Sequence, residues 1–201
     1  MIDDLDRSLE NLLKRELPPE LVAQITISFA TPDGQFPPAS VTLPAIDLFL
    51  YDVRENRDLR DGEWRIERQS DGSNVRKAPP VRVDCSYLIT AWPSDSSSTP
   101  ARDEHRLLGE VMKALLRHSM LPADVLEGSL QGQQPPLPAS TLQPGRLQSL
   151  AEFWQALGGK PKATLSYTVT IGVETGITTA AGPPVSETVF KFRQGAVRNE
   201  V

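Results

Sequence analysis

Proline placement constrains this chain more than any other feature. The sequence holds 18 prolines in 201 residues, against a usual share of about 5%. Proline has a fixed φ and no backbone N–H, so helix interiors and central strands exclude it. Six of the prolines fall in residues 18–44, four in 79–100 and five in 122–144. Regular elements must therefore fit between these clusters, and the clusters themselves mark loops. PSDSSSTP (93–100) reads as a short polar loop. GSLQGQQPPLPASTLQPG (128–145) has no charged residue and is expected as a long flexible loop, either functional or poorly ordered.

The stretches between the clusters are strongly periodic. Leu5, Leu9, Leu12, Leu13 and Leu17 recur at helical spacing, which predicts a helix over 3–17, capped by Asp3 or Asp4 and stopped by Pro18-Pro19. Alternation predicts strands over 24–30, 45–53, 63–69, 81–91 and 163–173, with a looser run over Val185–Phe192. In 45–53 both faces carry bulk, so that strand is expected inside the sheet or covered by a partner. In 81–91 one face holds Val81, Val83, Cys85, Tyr87, Ile89 and Ala91; Leu88 is the one apolar exception on the other. Residues 101–120 read as an amphipathic helix capped by Thr99 or Asp103, and 146–157 as a shorter helix ended by Gly158-Gly159. The expected fold is α+β: a mixed, mostly antiparallel twisted sheet with helices packed on one face.

Composition excludes several function classes. Asp and Glu outnumber Lys and Arg by 26 to 21, which argues against a nucleic-acid binder that works through a global basic field. A single cysteine, Cys85, excludes an internal disulfide and a multi-cysteine zinc site. It lies on the apolar face of its predicted strand, so it reads as a buried packing thiol. No run reaches the roughly 18 apolar residues of a membrane span. The start MIDDLDRSLE is acidic where a signal peptide is basic, so the expected compartment is the cytoplasm. Nucleotide-loop, nucleophile-elbow and zinc-helix motifs are all absent. The trio Asp103, Glu104 and His105 is the one conceivable catalytic group, but adjacent residues point around a helix rather than at one centre. His105 is better read as a capping or partner-binding residue. His118 reads as a surface residue that compensates the helix dipole.

The region from Asp52 to Arg82 carries eight Lys/Arg and seven Asp/Glu, with Arg over Lys by seven to one. Two readings stay open: a solvated hairpin, or an arm whose planar guanidinium groups pair with carboxylates of a neighbouring subunit. Arg54, Arg57, Arg60, Trp64 and Arg68 are the candidate contact residues of that arm. The C-terminal FKFRQGAVRNEV offers Lys191, Arg193 and Arg198, either as a frayed terminus or as a second arm.

Taken in order, LDRSLENLLKREL, ITISFATP, IDLFLYDVRENRDLR, APPVRVDCSYLITAW, DEHRLLGEVMKALL and LAEFWQALGG resemble the cap, or tail-terminator, family of bacterial contractile injection systems, which are phage-tail-like particles. The resemblance runs over roughly residues 1–175; the segment 128–145 and the end beyond 176 resemble the family least. It implies a terminator-like domain over 1–176 followed by a C-terminal strand and arm over 177–201. It implies a homohexameric ring that closes the distal end of the inner tube, contacts the last sheath layer, stops polymerisation and helps fix length. Its partners would be further copies of itself, the tube protein and the sheath protein. No catalysis and no cofactor are implied, and neither nucleic acid nor direct membrane insertion. The expected place is the end of the particle, in the cytoplasm until any release of the particle. Sheath subunits in such particles link by strand exchange, so a terminator must satisfy exposed strand edges without presenting new ones. The candidate edges are Val185–Phe192 and the hairpin around Trp64–Gln69. An adaptor that anchors the particle to a membrane, or loads cargo, is the alternative function.

Overall fold

The computed structural model describes residues 1–70, 73–143 and 149–181. They group into two compact units, Met1–Arg60 with Pro80–Val173, and Asp61–Pro79 with the segment from Glu174.

The larger unit is built on a five-stranded sheet. Its strands are β1 (Thr26–Ser28), β2 (Ala45–Glu55), β5 (Val81–Trp92), β6 (Ala139–Thr141) and β7 (Leu165–Val173), in the order β1-β2-β5-β7-β6. Only the β1–β2 pairing is parallel; the others are antiparallel. β2, β5 and β7 form the interior; the bulk on both faces of β2 pointed to such a place. The strand expected over 24–30 is shorter than its alternation, because β1 lies at the edge and pairs with β2 over three residues only. A bulge at Tyr51 shifts the β2–β5 register between Leu50 and Asp52. It turns Asp52 and Arg54 to the face that carries Asp84 and Ser86.

One face of this sheet presents Ile46, Leu48, Cys85, Tyr87, Ile89, Tyr167, Val169 and Ile171 to the core. Two helices cover it. α1 (Ile2–Glu16) contributes Leu5, Leu9, Leu12 and Leu13, all fully buried. α3 (Pro100–Leu116) contributes Leu107, Leu108, Val111, Ala114 and Leu115. Neither helix is capped as the sequence suggested. α1 starts at Ile2, so Asp3 and Asp4 lie inside its first turn, where the helix dipole favours them. The Asp4 carboxylate instead accepts hydrogen bonds from the backbone N–H and hydroxyl of Ser129, at 3.1 and 2.6 Å, and pairs with Arg7. Those hydrogen bonds hold Asp4 well below the usual carboxylate range. α3 starts at Pro100 with Thr99 at the N-cap position, as one expectation had it, but the Thr99 side chain makes no cap hydrogen bond. A short helix α2 (Pro19–Val22) follows the proline pair that ends α1.

The stretch expected as a flexible loop is packed where it is described. Short 3₁₀ turns cover Ala123–Val125 and Gly128–Leu130, β6 follows, and Leu130 and Leu137 are fully buried. Ser8 and Asn11 of α1 bond Glu127, and Arg15 bonds Asp124. Apolar anchors too sparse to show periodicity thus fix a segment that composition marks as a loop.

The opposite face of the sheet is polar at one end and apolar at the other. Thr170 donates to Asp84 at 2.7 Å, and the Ser86 and Thr168 hydroxyls lie 3.1 Å apart. At the other end sits α4 (Leu150–Ala156), so the helices are not confined to one face. Phe153 of α4 meets Phe49 at 6.1 Å between ring centroids. Leu88 and Leu150 line one small cavity, which accounts for the single apolar exception in β5. The Ser149 hydroxyl caps α4 by accepting from the Glu152 N–H. Gly158 ends it with φ +66°, and the Gly158 and Gly159 amides close back on Gln155 and Trp154.

The smaller unit holds a three-stranded antiparallel sheet in the order β3-β4-β8. β3 is Arg65–Arg68, the trimmed form of the strand expected over 63–69; β4 is Asn74–Lys77 and β8 is Thr178–Ala180. β4, β6 and β8 are too short to show alternation in the sequence. The run Val185–Phe192 lies outside the described residues.

Candidate partner interface

The arginine-rich stretch leaves the larger unit at the end of β2. Here the side chains are already partnered. Arg54 forks onto Asp52, with its Nε 2.6 Å from one oxygen and a terminal nitrogen 2.8 Å from the other. Glu55 lies 2.7 Å from Arg60 and 3.8 Å from Arg57. Asn56 pins the turn, its backbone N–H bonding the Arg82 carbonyl and its side chain bonding Asp84. Arg54 is thus held by Asp52, and Arg57 and Arg60 separately by Glu55. Arg57 keeps 83% of its side-chain surface exposed, so this stretch still presents cations to solvent.

Trp64 and Arg68 lie in the smaller unit. The register places Ile66 opposite Arg76 and Arg68 opposite Asn74. The Arg76 guanidinium stands 6.0 Å from the centre of the Trp64 ring, at the outer limit of a cation–π contact. Arg76 and Ile66 carried no special weight in the sequence; the dipeptide Asp71-Gly72, a turn signal, followed by NVRK (74–77) was the available clue.

His105 is in the larger unit. It sits in the second turn of α3, which rules out a capping role. It borders a groove of about 700 Å³ whose lining includes Phe36, Trp92, Glu104, Gly158 and Lys162. Phe36 stacks on Trp92 at 4.3 Å, Lys162 lies 4.5 Å from the Trp92 ring centre, and Lys162 pairs with Glu104. Sequence patterning gave no sign of this groove, since its walls come from four separate segments. The neighbouring acidic residue takes a different partner again, with Asp103 accepting from the Ser97 hydroxyl at 2.5 Å. The trio Asp103-Glu104-His105 therefore diverges. Among the described residues, no group of three or more His, Cys, Asp or Glu is placed to hold a metal ion. His118 meets Glu16 at 3.0 Å beside Arg117. Burial works against ionisation of Glu16, but hydrogen bonds from His118, Arg117 and Arg15 hold it below the usual range.

Cys85 is fully buried, and burial with nearby Asp84 and Asp6 pushes its thiol up to about 11. That is the setting of a packing residue, not a nucleophile. Lys191, Arg193 and Arg198 lie outside the described residues. What the described candidates share is exposed cationic or aromatic surface.

The family model described as the Pvc16 N-terminal domain matches residues 4–187. The chain belongs to that family. Two solved structures share the Pvc16 N-terminal fold. One is the sheath/tube terminator of an extracellular contractile injection system, PVC, in its extended state, with a TM-score of 0.67 and 24% identity over 98% of this chain. The other is the tube-terminating cap of the anti-feeding prophage, AFP, with a TM-score of 0.62 and 25% identity over 96% of this chain. This Pvc16-type chain spans 64% and 61% of the lengths of those two chains. No curated protein matches it. Among the described residues of this family member, no helix is long and apolar enough to cross a membrane.

Proposed function

We propose that the chain is the capping subunit of a contractile injection system. It closes the end of the inner tube distal to the baseplate, contacts the last sheath layer and stops assembly, which helps to set particle length. The observation that carries this reading is the fold shared along nearly the whole chain with a sheath/tube terminator and a tube-terminating cap. Its partners are the tube protein, the sheath protein and further copies of itself in a six-membered ring. Its work is non-catalytic: it offers surfaces to a growing cylinder. The contact residues are Arg54, Arg57, Arg60, Trp64, Arg68 and His105, with Lys191, Arg193 and Arg198 on a C-terminal arm. The exposed cations at the end of β2 and the mixed aromatic and arginine surface of the small sheet support that assignment. The protein is placed at the particle end, in the cytoplasm before any release.

Deletion of the gene tests the reading directly. Particles from the deletion strain should show open tube ends and a broadened length distribution by electron microscopy, both restored by the wild-type chain. Normally closed tubes of unchanged length would overturn it.

A further inference from the structure

The small sheet has two unlike faces. Register puts Arg65, Glu67, Val75, Lys77, Thr178 and Ala180 on one. That face balances its own charge: Lys77 lies 2.6 Å from Glu174 and 3.7 Å from Glu67. The other presents Trp64, Ile66, Arg68 and Arg76 and, among the described residues, no carboxylate. Arg68 and Arg76 form no ion pair with any described residue, and Ile66 is 68% exposed. Every residue of β3 is exposed, and among the described residues β3 has no strand on its outer side. Among the described residues, a three-stranded sheet that leaves Ile66 and part of Trp64 in water beside two arginines without an ion pair is unfinished as a monomer surface. Trp and Arg around an apolar centre are also the side chains that most often dominate binding energy.

Charge says what finishes it. The larger unit carries 19 Asp and Glu against 14 Lys and Arg, so the whole net charge of −5 resides there; the smaller unit is balanced at seven each. We infer that the Trp64–Ile66–Arg68–Arg76 face docks on the acidic larger unit of a second copy of this chain. The contact is head to tail, because it joins unlike surfaces. Such contacts generate a closed ring when the rotation between neighbours closes. The inference rests on the capping reading for the ring itself; it adds which face makes the joint and what it meets. Buried apolar area supplies the attraction, while the arginines steer and fix register.

The buried Cys85 makes a clean test possible, since Ile66→Cys introduces the accessible thiol. The full-length variant is labelled with a maleimide–benzophenone probe and irradiated, both free at high concentration and assembled in particles. Expected is a covalent dimer whose peptide map joins position 66 to the larger unit of another copy. Cross-links in the particle that run only to sheath or tube protein would overturn the inference, as would no self-cross-link in either sample. Two charge reversals supply a second readout by sedimentation velocity. Arg68→Glu should raise the concentration for half-assembly about tenfold, whereas Arg65→Glu, on the opposite face, should leave it unchanged. Equal effects would reduce the result to net charge and sink the proposal. Imaging of wild-type chain at particle ends judges the capping reading separately: capped ends with position 66 cross-linked elsewhere defeat the inference alone.

Discussion

Asp47 is the residue that sits least comfortably in this fold. It is fully buried in β2, and neither carboxylate oxygen has a well-formed hydrogen bond. Burial pushes its pKa up to about 7, against a smaller pull downward from Ser28 and the Ala30 backbone. The folded chain therefore holds the proton more tightly than the unfolded one. The stability this brings is complete below about pH 4 and is lost as pH rises through 7. Asp47→Asn should flatten that dependence and should be the more stable protein at pH 8, by on the order of 3 kcal/mol. Urea unfolding of both proteins from pH 4 to 8 checks it. The sequence placed Asp47 on the face with Phe49 but could not show its burial. The cover on that face includes Phe153, which is more than a hundred residues away in the chain. Cys85 was legible, because its burial follows from the alternation of its own strand.

Among the elements, α4 shows what local signals can and cannot fix. Its stop was readable as Gly158-Gly159, and its start has the Ser149 cap that its composition permits. Ser149→Ala should lower stability by about 1 kcal/mol by leaving an amide unsatisfied. Gly158→Ala should lower it by about 1 kcal/mol as well, since φ +66° crowds a Cβ against the backbone. Chemical denaturation of each single variant reads both. The long strands and both leucine-bearing helices were legible because nine or more periodic residues leave one solution. The position of α4 was hidden, although Leu88 was the clue: one apolar residue out of phase marks the place where a second cover begins. β4, β6 and β8, three or four residues each without longer alternating flanks, exist only through their neighbours.

At the scale of the whole molecule, charge and connectivity separate two jobs. If copies join through an arginine face and an acidic body, mobile ions should weaken the joint. Raising salt from 0.05 to 0.5 M shortens the screening length from about 14 to about 4 Å. Half-assembly should then need roughly tenfold more protein, with the melting temperature of the single chain little changed; sedimentation velocity beside a thermal scan separates the two. The family was readable from six motifs in order, whereas the pairing of β4 with β8 was not, because it spans about a hundred residues. The β2–β5 ladder runs to Glu55 opposite Val83, so residues 61–79 leave from and return to neighbouring points. A change in the length of that segment therefore leaves every rung of the β2–β5 ladder in place. The proposed joint can in this way be refitted to a new neighbour while the five-stranded foundation stays intact.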